Sequence, residues 1–238
     1  MSFINNQTGK LSIIATPIGN LEDITYRAVR VLQEADLIAA EDTRKARILL
    51  NRYEITDKKV VSHHVQNEHR TLYYLVQELL KGKKLAVISE AGSPCVSDPG
   101  FLIIREALRN GIEPEIIPGV SALTFSVMAS AFPVERFTFY GFLPPKKGAR
   151  QRVLEEISDD KKTAFIFESP KRVIRLLGEI KDFIGEDCGV ALIREATKMH
   201  EEVIRGTVVE VLKEFETRVP KGEFVVVIST RYTPLIVK

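Results

Sequence analysis

Between Leu11 and Ile117 short apolar runs alternate with segments of helical period, and that rhythm narrows the possible folds more than any other feature of the chain. LSIIAT (11–16), LIAA (37–40), KVVS (59–62), KLAVIS (84–89) and IEPEII (112–117) have the length and composition of buried strands. Ile24–Ala35, Thr43–Tyr53, Glu68–Lys81 and Pro99–Asn110 fit helices between them. In the first of these, Ala28, Val31, Leu32 and Ala35 share one face, and Asp23 is placed to cap the N-terminus. Alternation of this kind predicts an α/β fold with a mostly parallel sheet and helices on both faces.

After Pro118-Gly119 the rhythm changes. FTFYGF (137–142), TAFIFE (163–168), GVALI (189–193), HEEVIRG (200–206) and EFVVVI (223–228) read as strands. Helices fit Ser121–Ala131, Ala149–Ser158, Pro170–Phe183 and Val208–Phe215. The short link between Val190–Arg194 and Glu201–Gly206 implies antiparallel pairing, hence a mixed C-terminal sheet. The expected organisation is two α/β domains, 1–118 and 119–238, with a cleft between them.

The chain is 45% hydrophobic and 28% charged, ample for packed cores. No apolar run approaches the roughly 18–20 residues of a membrane span. The opening stretch MSFINNQTGKLSIIATP lacks the basic patch, long apolar run and cleavage site of a secretory leader, so a cytoplasmic protein without membrane association is expected. Cys95 and Cys188 form neither a metal spacing nor a disulfide framework, and read as reduced thiols. His63, His64, His69 and His200 have no accompanying ligand set; no metal is expected, and they read as solvated polar residues. The net charge of +2 is uneven, with basic clusters at Arg44, Lys45 and Arg47 and at Lys146, Lys147, Arg150 and Arg152. Either alone reads as a solvated face; two flanking a ligand cleft read as a phosphate-binding footprint.

The segment SEAGSPCVSDPG (89–100) carries the strongest chemical signal, because it follows a strand and precedes a helix. Ligands of parallel sheets bind at the carboxyl ends of strands. Gly92 permits close backbone approach, Pro94 and Pro99 stiffen the loop, and Ser89, Ser93, Ser97 and Asp98 supply polar groups. The dinucleotide and P-loop fingerprints are both absent. A turn-rich connection with an Asp cap is the plain alternative, but the density of Gly, Pro and Ser favours a ligand loop. ATPIGNLED (15–23) also follows a strand, although a simple turn would look similar. PGVSA (118–122) opens a helix whose free N–H groups suit a carboxylate, as would any helix start.

ATPIGNLEDIT (15–25), AAEDTRKA (39–46), SEAGSPCVSDPG (89–100), PGVSA (118–122), GFLPPK (141–146) and ESPKR (168–172) occur in that order. Together they resemble the small-subunit ribosomal RNA 2′-O-ribose methyltransferases, a branch of the tetrapyrrole methylase superfamily, over essentially residues 10 to 230. The resemblance implies a tetrapyrrole-methylase-like fold of two α/β domains, a homodimer, and S-adenosylmethionine folded into the cleft. It implies methylation of a decoding-centre cytidine 2′-hydroxyl in small-subunit (16S) ribosomal RNA, free or in the assembled subunit. Carried over by motif, Pro17, Ile18 and Gly19, then Gly92, Ser93 and Val96, then Ser121 and Ala122 meet the cofactor. Phe167, Glu195, Ala196 and Gly222 of the smaller domain meet its adenosine. The family commonly has Asp-Ala-Gly-Thr-Pro where this chain has Glu90-Ala91-Gly92-Ser93-Pro94, which keeps charge and hydroxyl but lengthens the acid.

A sulfonium donor carries its own leaving group, so alignment and exclusion of water come first. A ribose hydroxyl also needs a base or a charge that stabilises the alkoxide. Asp98, Glu41, Asp42, Glu90 and Lys198 are candidates, each equally readable as a cap or ion pair. Asp98 and Glu90 are preferred because both lie on the main loop. The two basic clusters are the expected RNA footprint. A porphyrin or corrin C-methyltransferase of the same fold is the nearest alternative, disfavoured by those clusters and by the first two motifs. A non-catalytic ribosome-assembly factor is the other, and binding of the cofactor discriminates against it.

Overall fold

The computed structural model describes residues 9–231, so the leader-free reading of the N-terminus falls partly outside the described residues. The chain folds as two compact units that divide between Ser121 and Ala122.

In the first unit β1 (Lys10–Ile14), α1 (Tyr26–Glu34), β2 (Leu37–Ala40), α2 (Thr43–Arg52), β3 (Lys59–Ser62), α3 (Glu68–Leu80), β4 (Lys84–Ile88), α4 (Phe101–Arg109) and β5 (Glu115–Ile117) follow in order. The strands pair in parallel in the order β3-β2-β4-β1-β5. The chain therefore runs from β1 outward to β3, then reverses through β4 to β5. Crossovers between parallel strands are right-handed, so reversal moves the helices to the other face. Accordingly α1 and α2 pack with Ile14, Ile38, Ala40, Ala86 and Ile88. Helices α3 and α4 pack with Leu11, Ile13, Leu37, Ala39, Leu85 and Val87. Neighbouring strand residues face opposite layers, which is why these strands are continuously apolar rather than alternating.

Three local expectations are corrected. Thr25, not Asp23, caps α1, its side chain accepting from the Ala28 N–H at 3.1 Å; Asp23 ends a short 3₁₀ turn that Asn20 caps. Helix α4 starts at Phe101, since Gly100 at φ 140° breaks the helical path after Pro99. His63 is not solvated but 1% exposed, its N–H donating to Ala40 O and its Nδ1 2.7 Å from Thr71 Oγ1. Apart from these, residues 119–121, expected to open the second domain, fall in the first unit, where Gly119 packs on the loop after β1: a Cβ there would stand 2.9 Å from the Ala15 Cβ.

The second unit comprises α5 (Ala122–Ser130), β6 (Phe137–Phe142), α6 (Lys147–Asp160), β7 (Thr163–Glu168), α7 (Val173–Phe183), β8 (Gly189–Arg194), β9 (Glu202–Thr207), α8 (Val208–Lys213) and β10 (Phe224–Ser229). Its sheet has the order β6-β7-β10-β8-β9 and is mixed. β6 and β7 are parallel, with a register shift between Phe139 and Gly141; the remaining pairs are antiparallel, including the expected β8–β9 pair. Helices α6, α7 and α8 cover one face through residues such as Leu154, Leu176 and Val211. α5 lies over Phe165, Ala191, Ile193, Val225 and Val227 on the other. Among the described residues no helix is long and apolar enough to cross a membrane.

Candidate active site at the carboxyl edge of the first sheet

Four loops leave the carboxyl ends of β1, β2, β4 and β5 and are tied to one another there. Thr16 donates its N–H to the Gly92 carbonyl at 2.8 Å, and Gly92 returns its N–H to the Thr16 carbonyl at 3.0 Å. The Ser89 hydroxyl, at the end of β4, donates to the same Gly92 carbonyl at 3.0 Å. Ala15 donates to Ile117 O at 3.1 Å, which joins the β5 loop to the β1 loop. Gly92 has φ +82°, and a Cβ on it would stand 3.3 Å from Ile18 Cγ2 and 4.0 Å from Val120 O. Three loops thus converge on one bare peptide. Both polar groups of Gly92 are bonded within the protein and the residue is buried, so it locks the loops together rather than offering hydrogen bonds to a ligand.

The rest of the β4 loop is held in an uncommon shape. Cys95 and Ser97 have φ +71° and +67°, the left-handed region that costs a non-glycine residue about 1–2 kcal/mol. Val96 donates to Ser93 O and Cys95 to Pro99 O, both at 3.3 Å. Such strain clusters at ligand and catalytic sites. Pro17 and Ile18 are buried, Ser93 and Val96 half-buried, and Gly19 exposed, so the sequence-predicted cofactor residues of this unit lie on loops that meet.

Three carboxylates gather at this edge. Glu41, just past β2, accepts from the Glu90 N–H at 3.3 Å. The Glu90 carboxylate is paired with Lys45 Nζ. Asp98 is half-buried, and burial first, then the charges of Glu41 and Glu90, push its carboxyl up to about 7. Asp42 has a different task. It caps α2 through the Arg44 and Lys45 N–H groups, and its hydrogen bond to the Arg44 guanidinium holds its carboxyl well below the usual range.

In the second unit the expected adenosine contacts fall at one end of the sheet. Antiparallel register sets Phe167 beside Val225, and Glu195 follows β8 with its N–H on Glu223 O at 2.9 Å. Gly222 has φ +89°, and a Cβ on it would stand 2.5 Å from Glu195 Cδ. Lys198 bridges Glu195 and Glu223, each at 2.9 Å, so it serves an ion-pair cluster. Phe167, Ala196 and Ala122 pack against a common apolar cluster.

The model of the tetrapyrrole (corrin/porphyrin) methylases matches residues 10–212. The chain belongs to that family. Among its relatives, the ribosomal RNA small subunit methyltransferase I of Thermotoga maritima is 46% identical over 93% of this chain and 98% of its own length. The protein of that name from Halalkalibacterium halodurans is 42% identical over 93% of this chain and 76% of its own. At these identities this tetrapyrrole methylase groups with the rRNA-modifying methyltransferases. Diphthine synthase shares the fold, with TM-score 0.74 at 17% identity, covering 93% of this chain and 90% of that one. Cobalt precorrin-4 methyltransferase does so with TM-score 0.66 at 20% identity, covering 92% and 94%.

The basic clusters of this methylase divide on inspection. Arg150 leaves the expected footprint: it is 2% exposed, and its guanidinium is forked onto Glu179 at 2.5 and 2.6 Å. A cation buried in this way, with four of its five N–H groups engaged by Glu179 and two main-chain carbonyls, is not available to a phosphate. Lys146, Lys147 and Arg152 are exposed, as is Arg47, whereas Arg44 and Lys45 are occupied by Asp42 and Glu90. Sequence reading missed the Thr16–Gly92 bridge and the approach of Gly119 to Ala15. Their one signal was a hydroxyl residue directly after each apolar strand, Thr16 and Ser89, opposite small residues.

Proposed function

We propose that this methyltransferase transfers a methyl group from S-adenosylmethionine to a cytidine ribose 2′-hydroxyl of small-subunit ribosomal RNA, with Asp98 as the base. The observation that carries the assignment of the base is the Asp98 carboxyl, raised to about 7 on the strained loop that meets Thr16. The rRNA substrate rests on the names of relatives at 46% and 42% identity. The tight junction at Gly92, where a Cβ would press on Ile18, would fix the shape of the loops that hold the cofactor. Pro17, Ile18, Gly19, Gly92, Ser93, Val96 and Ser121 are the first unit's candidate cofactor residues, and the family resemblance adds Ala122, Phe167, Glu195, Ala196 and Gly222. S-adenosylmethionine supplies there a methyl electrophile with a neutral thioether as leaving group. Asp98 accepts the hydroxyl proton at its carboxylate, and a pKa near the working pH lets it pass that proton on to water. Lys45 occupies Glu90, which leaves Asp98 as the preferred acid-base group. A homodimer acting in the cytoplasm is part of the same reading.

The test supplies methyl-labelled S-adenosylmethionine with small ribosomal subunits, free small-subunit RNA, or uroporphyrinogen. Label at one cytidine, with resistance of that linkage to alkaline cleavage, is the expected result, because a 2′-methyl removes the hydroxyl that attacks the phosphate. Label on a base, or on the tetrapyrrole alone, would refute the assignment.

A further inference from the structure

We propose that the corner between β6 and α6 is a preformed platform for single-stranded RNA, on which the Phe142 ring stacks a base beside phosphates held by Lys146 and Lys147. The proposal rests on the RNA-methyltransferase reading and adds the element that grips the substrate strand.

Phe142 ends β6 and is 58% exposed. Its ring is supported rather than loose: the Phe167 ring lies 5.8 Å away at 68°, and Phe139 in turn lies 4.8 Å from Phe167 at 66°. Leu143, the next residue, is buried and anchors the corner. The carbonyls of the three residues that follow Phe142 are each bonded to a guanidinium. Arg172 donates to Leu143 O at 3.3 Å, and Arg150 donates to Pro144 O at 3.0 Å and Pro145 O at 2.9 Å. Both arginines are themselves fixed, Arg150 by Glu179 and Arg172 by Glu168 at 2.7 Å. With two prolines also restricting φ, the corner is ordered before any ligand arrives, which removes an entropic cost of binding.

At the far side of this pinned stretch stand Lys146 and Lys147, exposed and without an ion pair among the described residues. An open aromatic ring four and five residues from exposed cations that form no ion pair among the described residues matches single-stranded nucleic acid, whose bases stack and whose phosphates take the charge. A protein partner would need a broader apolar core with fewer charges. Arg150 and Arg172 are positioning residues here and do not touch RNA.

The full-length protein is titrated with a single-stranded oligoribonucleotide carrying 2-aminopurine, across a salt series. Phe142→Ala is expected to weaken binding about tenfold at every salt and to abolish the fluorescence quenching that stacking produces. Its salt slope should be unchanged, and Phe142→Tyr should restore both affinity and quenching. Lys146→Ala with Lys147→Ala should lower the slope by about 1.4, at roughly 0.7 per phosphate contact, and keep the quenching. Tyr73→Ala, an exposed aromatic of the first unit, should bind as wild type. Wild-type affinity and quenching in Phe142→Ala would overturn the platform while leaving the methyltransferase reading intact. So would a changed oligomeric mass in that variant with unchanged RNA affinity, which would make the ring a protein contact. Failure of the wild-type protein to bind any RNA would overturn both.

Discussion

Asp98→Asn should cost activity and add stability, and the two effects share one cause. The folded carboxyl is held at about 7, against 3.8 for an unperturbed aspartate. Between those values the folded state binds more protons than the unfolded one, so stability falls as pH rises through the window. At about 1.36 kcal/mol per unit the unscreened cost above pH 7 would be roughly 4 kcal/mol, and solvent reaching this half-buried group reduces it to about 1–2 kcal/mol. Asparagine keeps the shape and removes the charge, so at pH 8 the variant should melt roughly 2–8 °C above wild type. The gain should shrink to about a third at pH 5 and vanish below about pH 3, where both states of the wild type are protonated. Its kcat for methyl transfer should fall on the order of 100-fold with S-adenosylhomocysteine affinity unchanged. Wild-type turnover should rise with pH through an apparent pKa near 7. Thermal melts at several pH values and single-turnover methylation measure the two arms. Full turnover in Asp98→Asn, or a stability gain that does not depend on pH, would refute the reasoning.

Gly92→Ala forces φ +82° on a residue with a side chain and sets its methyl 3.3 Å from Ile18, so stability should drop by about 1–2 kcal/mol and calorimetry should show weaker cofactor binding; unchanged affinity would sink the junction's role in shaping the cofactor loops. Arg150→Met leaves Glu179 buried without its partner and should cost about 3–5 kcal/mol in denaturant unfolding, whereas a surface arginine would cost under 1 kcal/mol. Burial, then the charge of His64, holds His63 below the usual histidine pKa. The unfolded state then gains protons first as pH falls through about 6.5, so stability should be lost on acidification, and His63→Gln should flatten that slope in melts between pH 5 and 7.

The first sheet was legible because parallel strands buried on both faces need unbroken apolar runs, and LSII, LIAA and LAVI are such runs. Helix termini were less so: Asp23 and Thr25 are both good caps, and only the 3₁₀ turn built on Asn20 decides between them. The ligand loop 89–100 was legible from its place after a strand and its Gly, Pro and Ser content. Its partner Thr16 was not, since pairing across 76 positions leaves no local pattern. Arg150 shows the converse failure. Within KKGARQR it reads as one more surface cation, and the acid that buries it, Glu179, is a helix away in sequence. Charge runs report composition; which member turns inward is set by tertiary packing.

The loops after β1 and β4 leave adjacent strands but head for opposite helical layers, and the paired Thr16 and Gly92 peptides tie them together at the carboxyl edge. A tie of this kind couples the two layers mechanically. Neither α1 nor α4 can peel away without loading the same two hydrogen bonds. The Thr16 and Gly92 amides, though they sit in loops, should therefore exchange with solvent as slowly as those of the central strands, and a ligand bound to both loops would brace both faces of the sheet at once.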